Sequence, residues 1–202
     1  MHKYNIIALV GESGSGKDTV LRQVLKEDRS KLFHQKISYT SRPKRDYEVD
    51  GEDYYFIEES DFTEHYEDFF EFTNFNGWYY GTKYSDLEHE KVNIGIFDMH
   101  GLKTLLKNPR INCLPIYIKT NDKTRLIRNL KREKNPNIEE IFRRYLADKN
   151  DFKEIKKYVK IIVENNEIDN LQEISHKILQ IGHRIRTIQQ ENQRDADYQN
   201  LF

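Results

Sequence analysis

The chain is 202 residues long, with 33% charged and 37% hydrophobic residues, and its 33 basic and 34 acidic side chains leave a net charge of -1. That length suits one α/β domain carrying an insertion or lid, and the near-neutral balance excludes the long-range positive field of a non-specific nucleic-acid binder, so any anion site is local. A single cysteine, Cys113, excludes an intramolecular disulfide, and the N-terminal apolar run at residues 6–10 falls far short of the ~18 residues of a membrane span, with no signal-peptide pattern, so a cytoplasmic protein without membrane or nucleic-acid partners is expected.

The first predicted strand, Ile6 to Val10, runs into Gly11-Glu12-Ser13-Gly14-Ser15-Gly16-Lys17-Asp18-Thr19, which fits G-x-x-x-x-G-K, and an amphipathic stretch from Asp18 to Lys26 follows as a helix. Strand, glycine loop and helix are the context in which this motif cradles phosphate. The glycines let successive N–H groups turn inward at a helix N-terminus, and the lysine reaches the β- and γ-phosphates as a point charge. A phosphotransferase using ATP and Mg²⁺ is the reading. One position departs from the pattern: Asp18 stands where a Ser or Thr hydroxyl usually ligates Mg²⁺. A carboxylate is also a hard oxygen ligand, so Asp18 and Thr19 are both candidate metal contacts.

A second strand precedes Ser38, and residues 38–91 then change character, crowded with Tyr, Phe, Asp and Glu. Period-two patches at Tyr54 to Ile57, Phe70 to Thr73 and Trp78 to Tyr80, with a turn at Asn76-Gly77, predict a small antiparallel sheet inserted into the core. Buried strands follow at Asn93 to Phe97, Leu114 to Ile118 and Val159 to Val163, alternating with helices at Leu102 to Leu106, Lys123 to Arg132 and Leu171 to Ile188. Such alternation implies a parallel sheet covered on both faces. Cys113 reads as a buried strand thiol. Residues 125–152 carry Arg125, Arg128, Lys131, Arg132, Arg143 and Arg144 around the break Asn135-Pro136-Asn137, a pattern expected of a mobile helical lid. The expected division is therefore a core (1–37, 92–124, 153–182), an acceptor-binding insertion (38–91), a lid (125–152) and a polar tail (183–202) fading from helix into disorder.

The stretch from Ser38 through Thr40-Ser41-Arg42, Arg45, Glu48, Gly51, Tyr54 and Phe56, together with Glu71 and Gly77-Trp78-Tyr79-Tyr80-Gly81-Thr82, resembles guanylate kinase. Only Ser41, in place of Thr, departs from that family's first block, and the ordered resemblance spans roughly residues 5 to 182. It implies a P-loop NTPase fold with a parallel sheet flanked by helices, a small mixed α+β insertion that binds the nucleoside monophosphate, and a helical lid. It also implies ATP-dependent phosphorylation of GMP or dGMP in purine nucleotide metabolism, with no indication of whether the enzyme is a monomer or a homodimer.

The residues carry the same chemistry. Arg42 and Arg45, with the hydroxyls of Tyr54 and Tyr80, match a dianionic monophosphate, and Glu48 completes that block. Glu71 can accept from N1–H and the exocyclic amine of guanine, with Ser38 and Thr82 at the remaining polar edge. By resemblance Asp98 lies near the nucleotide and its metal, Asn165 contacts adenine, and the catalytic cations are Lys17, Arg45 and two lid residues. The second lid residue is Arg143 or Arg144, and the first is Lys131 or Arg132. Two rivals share the fold: a ribose 1,5-bisphosphate kinase-like enzyme, which also has Asp after the loop lysine, and a non-catalytic guanylate-kinase-like interaction module. The intact Glu71 and Tyr80 blocks argue against the first, and the intact loop lysine against the second.

Overall fold

A computed structural model describes residues 3–45, 48–75, 77–132, 134–167 and 170–199, with the side chains of Phe75 and residues 194–199 left aside. Five parallel strands form the main sheet in the order β2-β7-β1-β8-β9, comprising β1 (Tyr4–Val10), β2 (Phe33–Gln35), β7 (Val92–Ile96), β8 (Ile111–Lys119) and β9 (Ile161–Glu164). Side chains alternate faces along a strand, and β1 shows the result. Ile7 and Leu9 pack with Val20, Leu21 and Val24 of α1 (Lys17–Glu27) and with Ile174 and Ile178 of α6 (Leu171–Gln199). Ile6, Ala8 and Val10 join a second cluster with Leu102 and Leu105 of α3 (Met99–Lys107), Tyr117 and Phe152. Both faces are dry, which is why β1 reads as an unbroken apolar run. Each fully buried Ile or Leu contributes about 1.5–3 kcal/mol. Cys113 is half-buried in β8, and burial pushes its thiol up to about 12.

Because the strands are parallel, their carboxyl ends share one edge, where α/β sheets bind ligands. The phosphate loop leaves β1 there, Asp98 follows β7, Thr120 follows β8 and Asn165 follows β9.

The insertion forms a second sheet, β4-β3-β6-β5, from β3 (Ser38–Thr40), β4 (Tyr54–Phe56), β5 (Phe69–Phe75) and β6 (Trp78–Lys83). It is mixed, and the expectation of a purely antiparallel sheet is corrected: β3 and β4 pair in parallel, Ser38 with Tyr54 and Thr40 with Phe56. A parallel pair needs a crossover of about a dozen residues or more, and residues 41–53, which carry Arg42, Arg45 and Glu48, provide it. Phe62 of α2 (Glu59–Glu64) is fully buried and stacks on Phe69, so these rings serve first as the insertion's own core. Gly77 turns the β5–β6 hairpin at φ 81; its expected partner Asn76 lies outside the described residues.

Helices α4 (Asp122–Arg132) and α5 (Ile138–Asp151) flank the predicted break, and Asn137 caps α5 through its side-chain oxygen, which accepts from the N–H of Glu140 at 3.0 Å. Helix α6 passes through Gly182 unbroken to Gln199, with Ile185 on the core, Arg186 paired to Glu90 and Gln189 bonded to the carbonyl of His89. Gly182 marks a close approach, because a Cβ there would meet the Phe33 ring at 2.3 Å. Among the described residues no helix is long and apolar enough to cross a membrane.

Candidate active site

The phosphate loop is the tight turn that its glycines require. Gly14 and Gly16 take left-handed φ values of 78 and 86, and Gly16 caps α1 with no side chain bonded to the helix's first N–H groups. A Cβ on Gly16 would strike the Asn165 amide at 2.5 Å. Lys17 curls over the loop, its Nζ 2.7 Å from the carbonyl of Gly11 and 3.2 Å from that of Glu12. Burial lowers its pKa, opposed by Asp18, Asp148 and Glu12. The hydroxyl of Ser15 is buried within the loop with no hydrogen-bond partner, and Asp18 and Thr19 are exposed on the first turn of α1.

A buried polar network braces the loop from outside. Arg125, 1% exposed, donates to the Ser13 carbonyl at 3.0 Å and to Asp148 at 2.8 Å, and it lies 3.6 Å from the Glu12 carboxylate. Tyr117 donates to Glu12 at 2.8 Å. The Ser15 carbonyl accepts from Thr120 at 3.1 Å and from the Asn165 amide at 2.8 Å. Arg125, the first residue of the expected lid, thus braces the phosphate loop. Asn165, 4% exposed, spends its amide on the loop backbone, which adenine contact would have to share.

At the acceptor side Glu48 grips Arg42 with both oxygens, at 3.0 and 2.8 Å, and accepts from the backbone N–H of Arg45 at 2.9 Å. A carboxylate used in this way braces the arginine pair. Tyr54 and Tyr80 meet edge-on at 6.0 Å, the Arg42 guanidinium lies 5.5 Å from the Tyr54 ring, and burial pushes the Tyr54 phenol up to about 12.

The residues expected on the base side, Glu71, Thr82 and Ser38, form one polar cluster around Lys36. Glu71 is 7% exposed, accepts from the Thr82 hydroxyl at 3.1 Å, and has its pKa raised by burial. Asp98 caps α3, its Oδ1 accepting from the N–H of Gly101 at 2.7 Å, and it bears electrostatically on Glu71 and on Lys36. Lys36, absent from every motif, reaches Ser38 and Thr82. An isolated lysine between two short strands gives no pattern to read.

In α5, Glu140 holds both candidates for the second lid position, Arg143 at 2.6 Å and Arg144 at 2.7 Å, and these cations keep its carboxyl down at about 2. A cleft of about 240 Å³ is lined by Ser13, Arg45, Asn129, Arg132, Glu140 and Arg144. It lies between the phosphate loop, the β3–β4 connection and helices α4 and α5, with Arg132 and Arg144 on its wall. Lys131 and Arg143 are not among its lining residues.

The guanylate kinase family's sequence model matches residues 3–181. The chain is 38% identical to guanylate kinase of Fusobacterium nucleatum over 170 residues, covering 79% of this chain and 86% of that protein. It is 27% identical to guanylate kinase of Campylobacter jejuni (strain RM1221) over 203 residues, covering 98% and 96%. The crystal structure of guanylate kinase from Anaplasma phagocytophilum superposes with a TM-score of 0.63 at 23% identity over 92% of this chain and 89% of that one, a likeness of fold. A match over residues 3–181, with a relative 38% identical across most of both chains, places the chain in the guanylate kinase family.

Proposed function

We propose that the chain transfers the γ-phosphoryl group of ATP to GMP or dGMP. The observation that carries this reading is the cleft in which Ser13 of the phosphate loop, Arg45 of the acceptor loop and Arg132 and Arg144 of the lid face one another. No side-chain nucleophile is needed, because the acceptor phosphate oxygen attacks phosphorus in line, and catalysis consists of positioning and charge neutralisation. Lys17 and the loop amides hold the donor phosphates. Arg42 and Arg45, oriented by Glu48, hold the acceptor phosphate with Tyr54 and Tyr80. Arg132 and Arg144 neutralise the group in transit as Arg144 exchanges Glu140 for phosphate. Glu71, with Ser38 and Thr82, selects the base.

The exposed carboxylate of Asp18 beside Lys17, with Thr19 next to it, suits a Mg²⁺ ion, which takes one or two protein oxygens and completes its shell with phosphate oxygens and water. When bound, the metal would neutralise charge on the β- and γ-phosphates.

A coupled ADP-release assay across the eight common ribo- and deoxyribonucleoside monophosphates tests the reading. GMP or dGMP should dominate. Equal turnover of all purines, or release of ADP independent of acceptor, would refute it.

A further inference from the structure

Lys36 links β2 to β3 and is 4% exposed, an uncommon burial for an ammonium group. Its Nζ donates to the Ser38 hydroxyl at 2.6 Å and to the Thr82 hydroxyl at 3.1 Å, has a longer contact of 3.4 Å to the carbonyl of Ile96, and lies 4.0 Å from the centre of the Phe97 ring. Glu71 and Asp98 favour its charged form against burial. Thr82 passes its own proton on to Glu71 at 3.1 Å.

These contacts have a fixed direction. An ammonium only donates and a carboxylate only accepts, whereas a hydroxyl does either. With Lys36 at one end and Glu71 at the other, Thr82 has no choice of orientation. Ser38, having accepted from Lys36, keeps one proton, and that proton points away from the ammonium.

We infer that Lys36 sets the choice of base at the 6-position of the purine: by filling the acceptor side of Ser38 it commits that hydroxyl to donate, so the pocket takes a 6-oxo purine and rejects a 6-amino one. The inference rests on the reading of the chain as a GMP kinase and adds a positioning residue to it. Guanine presents an acceptor at position 6 and donors at N1 and N2, which complement a donating Ser38 and an accepting Glu71. Adenine reverses both partners at positions 6 and 1, and each mismatch leaves a buried polar group unpaired.

The test compares kcat/KM for GMP, IMP and AMP in the wild type and in Lys36→Met, an apolar side chain of similar length. The variant should lose about 10- to 100-fold on GMP and on IMP alike, as expected for one or two misdirected hydrogen bonds. AMP should stay level or improve, and KM for ATP should not move. Equal losses on GMP and AMP would make Lys36 structural and overturn the inference. Should the variant fail to fold, the wild type decides with 6-thioguanosine monophosphate, which keeps the N1 and N2 donors and replaces the oxygen acceptor by a larger and weaker sulfur acceptor: a loss of about 10-fold against GMP is expected, and equal turnover overturns the inference. A wild type inactive on GMP overturns the functional reading itself, an outcome seen before any substitution is made.

Discussion

The carboxylate of Asp148, in α5, accepts the backbone N–H of Ser13 in the phosphate loop at 2.7 Å and the guanidinium of Arg125 at 2.8 Å. A loop amide that points at phosphate in this motif is thus held by an acid of the same sign as phosphate. Burial raises the pKa of Asp148, opposed by the Ser13 N–H and by Arg125. Asp148→Ala should therefore destabilise the ligand-free enzyme by about 1–3 kcal/mol, the cost of leaving buried donors unsatisfied. A phosphate oxygen can replace the lost acceptor, so ATP should raise the melting temperature of the variant more than that of the wild type. Thermal unfolding with and without ATP checks this, and an equal ATP shift in both proteins would separate Asp148 from nucleotide binding.

Glu71→Gln retains size and replaces one acceptor oxygen with an NH₂ that faces guanine's own donors. Losing one charge-assisted bond and adding that clash should cost ~2–4 kcal/mol in kcat/KM for GMP, a factor of roughly 30 to 1000. ATP binding should hardly change, because the donor site is built on the separate loop Gly11 to Thr19. AMP should lose less or gain. A common loss on both nucleotides would make Glu71 structural.

Asp18→Ser tests the departure from the usual loop pattern. The side chain is exposed and one hydroxyl oxygen can take its place beside Mg²⁺, so kcat should stay within about tenfold of wild type, with KM for Mg²⁺-ATP as the more sensitive readout. Complete loss of activity would give the carboxylate a role that no hydroxyl can fill. Lys17→Ala, by contrast, should lower kcat by ~10²–10³ or more, since the ammonium acts on charge that develops in transfer.

The pH dependence of GMP binding follows from Glu71. Burial raises its pKa above the ordinary 4.5, so the ligand-free fold holds this proton more tightly than the unfolded chain does. That contribution to stability is fully present below 4.5 and is lost as pH rises through the folded value. Guanine donates two hydrogen bonds and so favours the carboxylate. GMP binding should release a proton in that window, and affinity should rise with pH across it. Calorimetry in two buffers of different ionisation enthalpy measures the release, and Glu71→Gln should abolish it.

The sequence alone was enough for every feature whose cause is local. Gly11 to Lys17 must form a phosphate-holding turn because glycine conformations and a following helix dictate it, and the apolar runs around it must be buried parallel strands because they lack a polar face. The arginine pair and Glu71 stood out because their short segments resemble ordered blocks of the guanylate kinase family. The direction of β3 against β4 was not legible, since a crossover of residues 41–53 permits either and only packing of the insertion selects one. The tertiary structure alone placed Arg125 against Glu12 and Asp148, turned Glu48 onto Arg42, and set Lys36 against Ser38 and Thr82. Each of these joins charged or polar groups from different elements, and the penalty for burying a charge, which forces such groups together, acts only once the chain has closed around them.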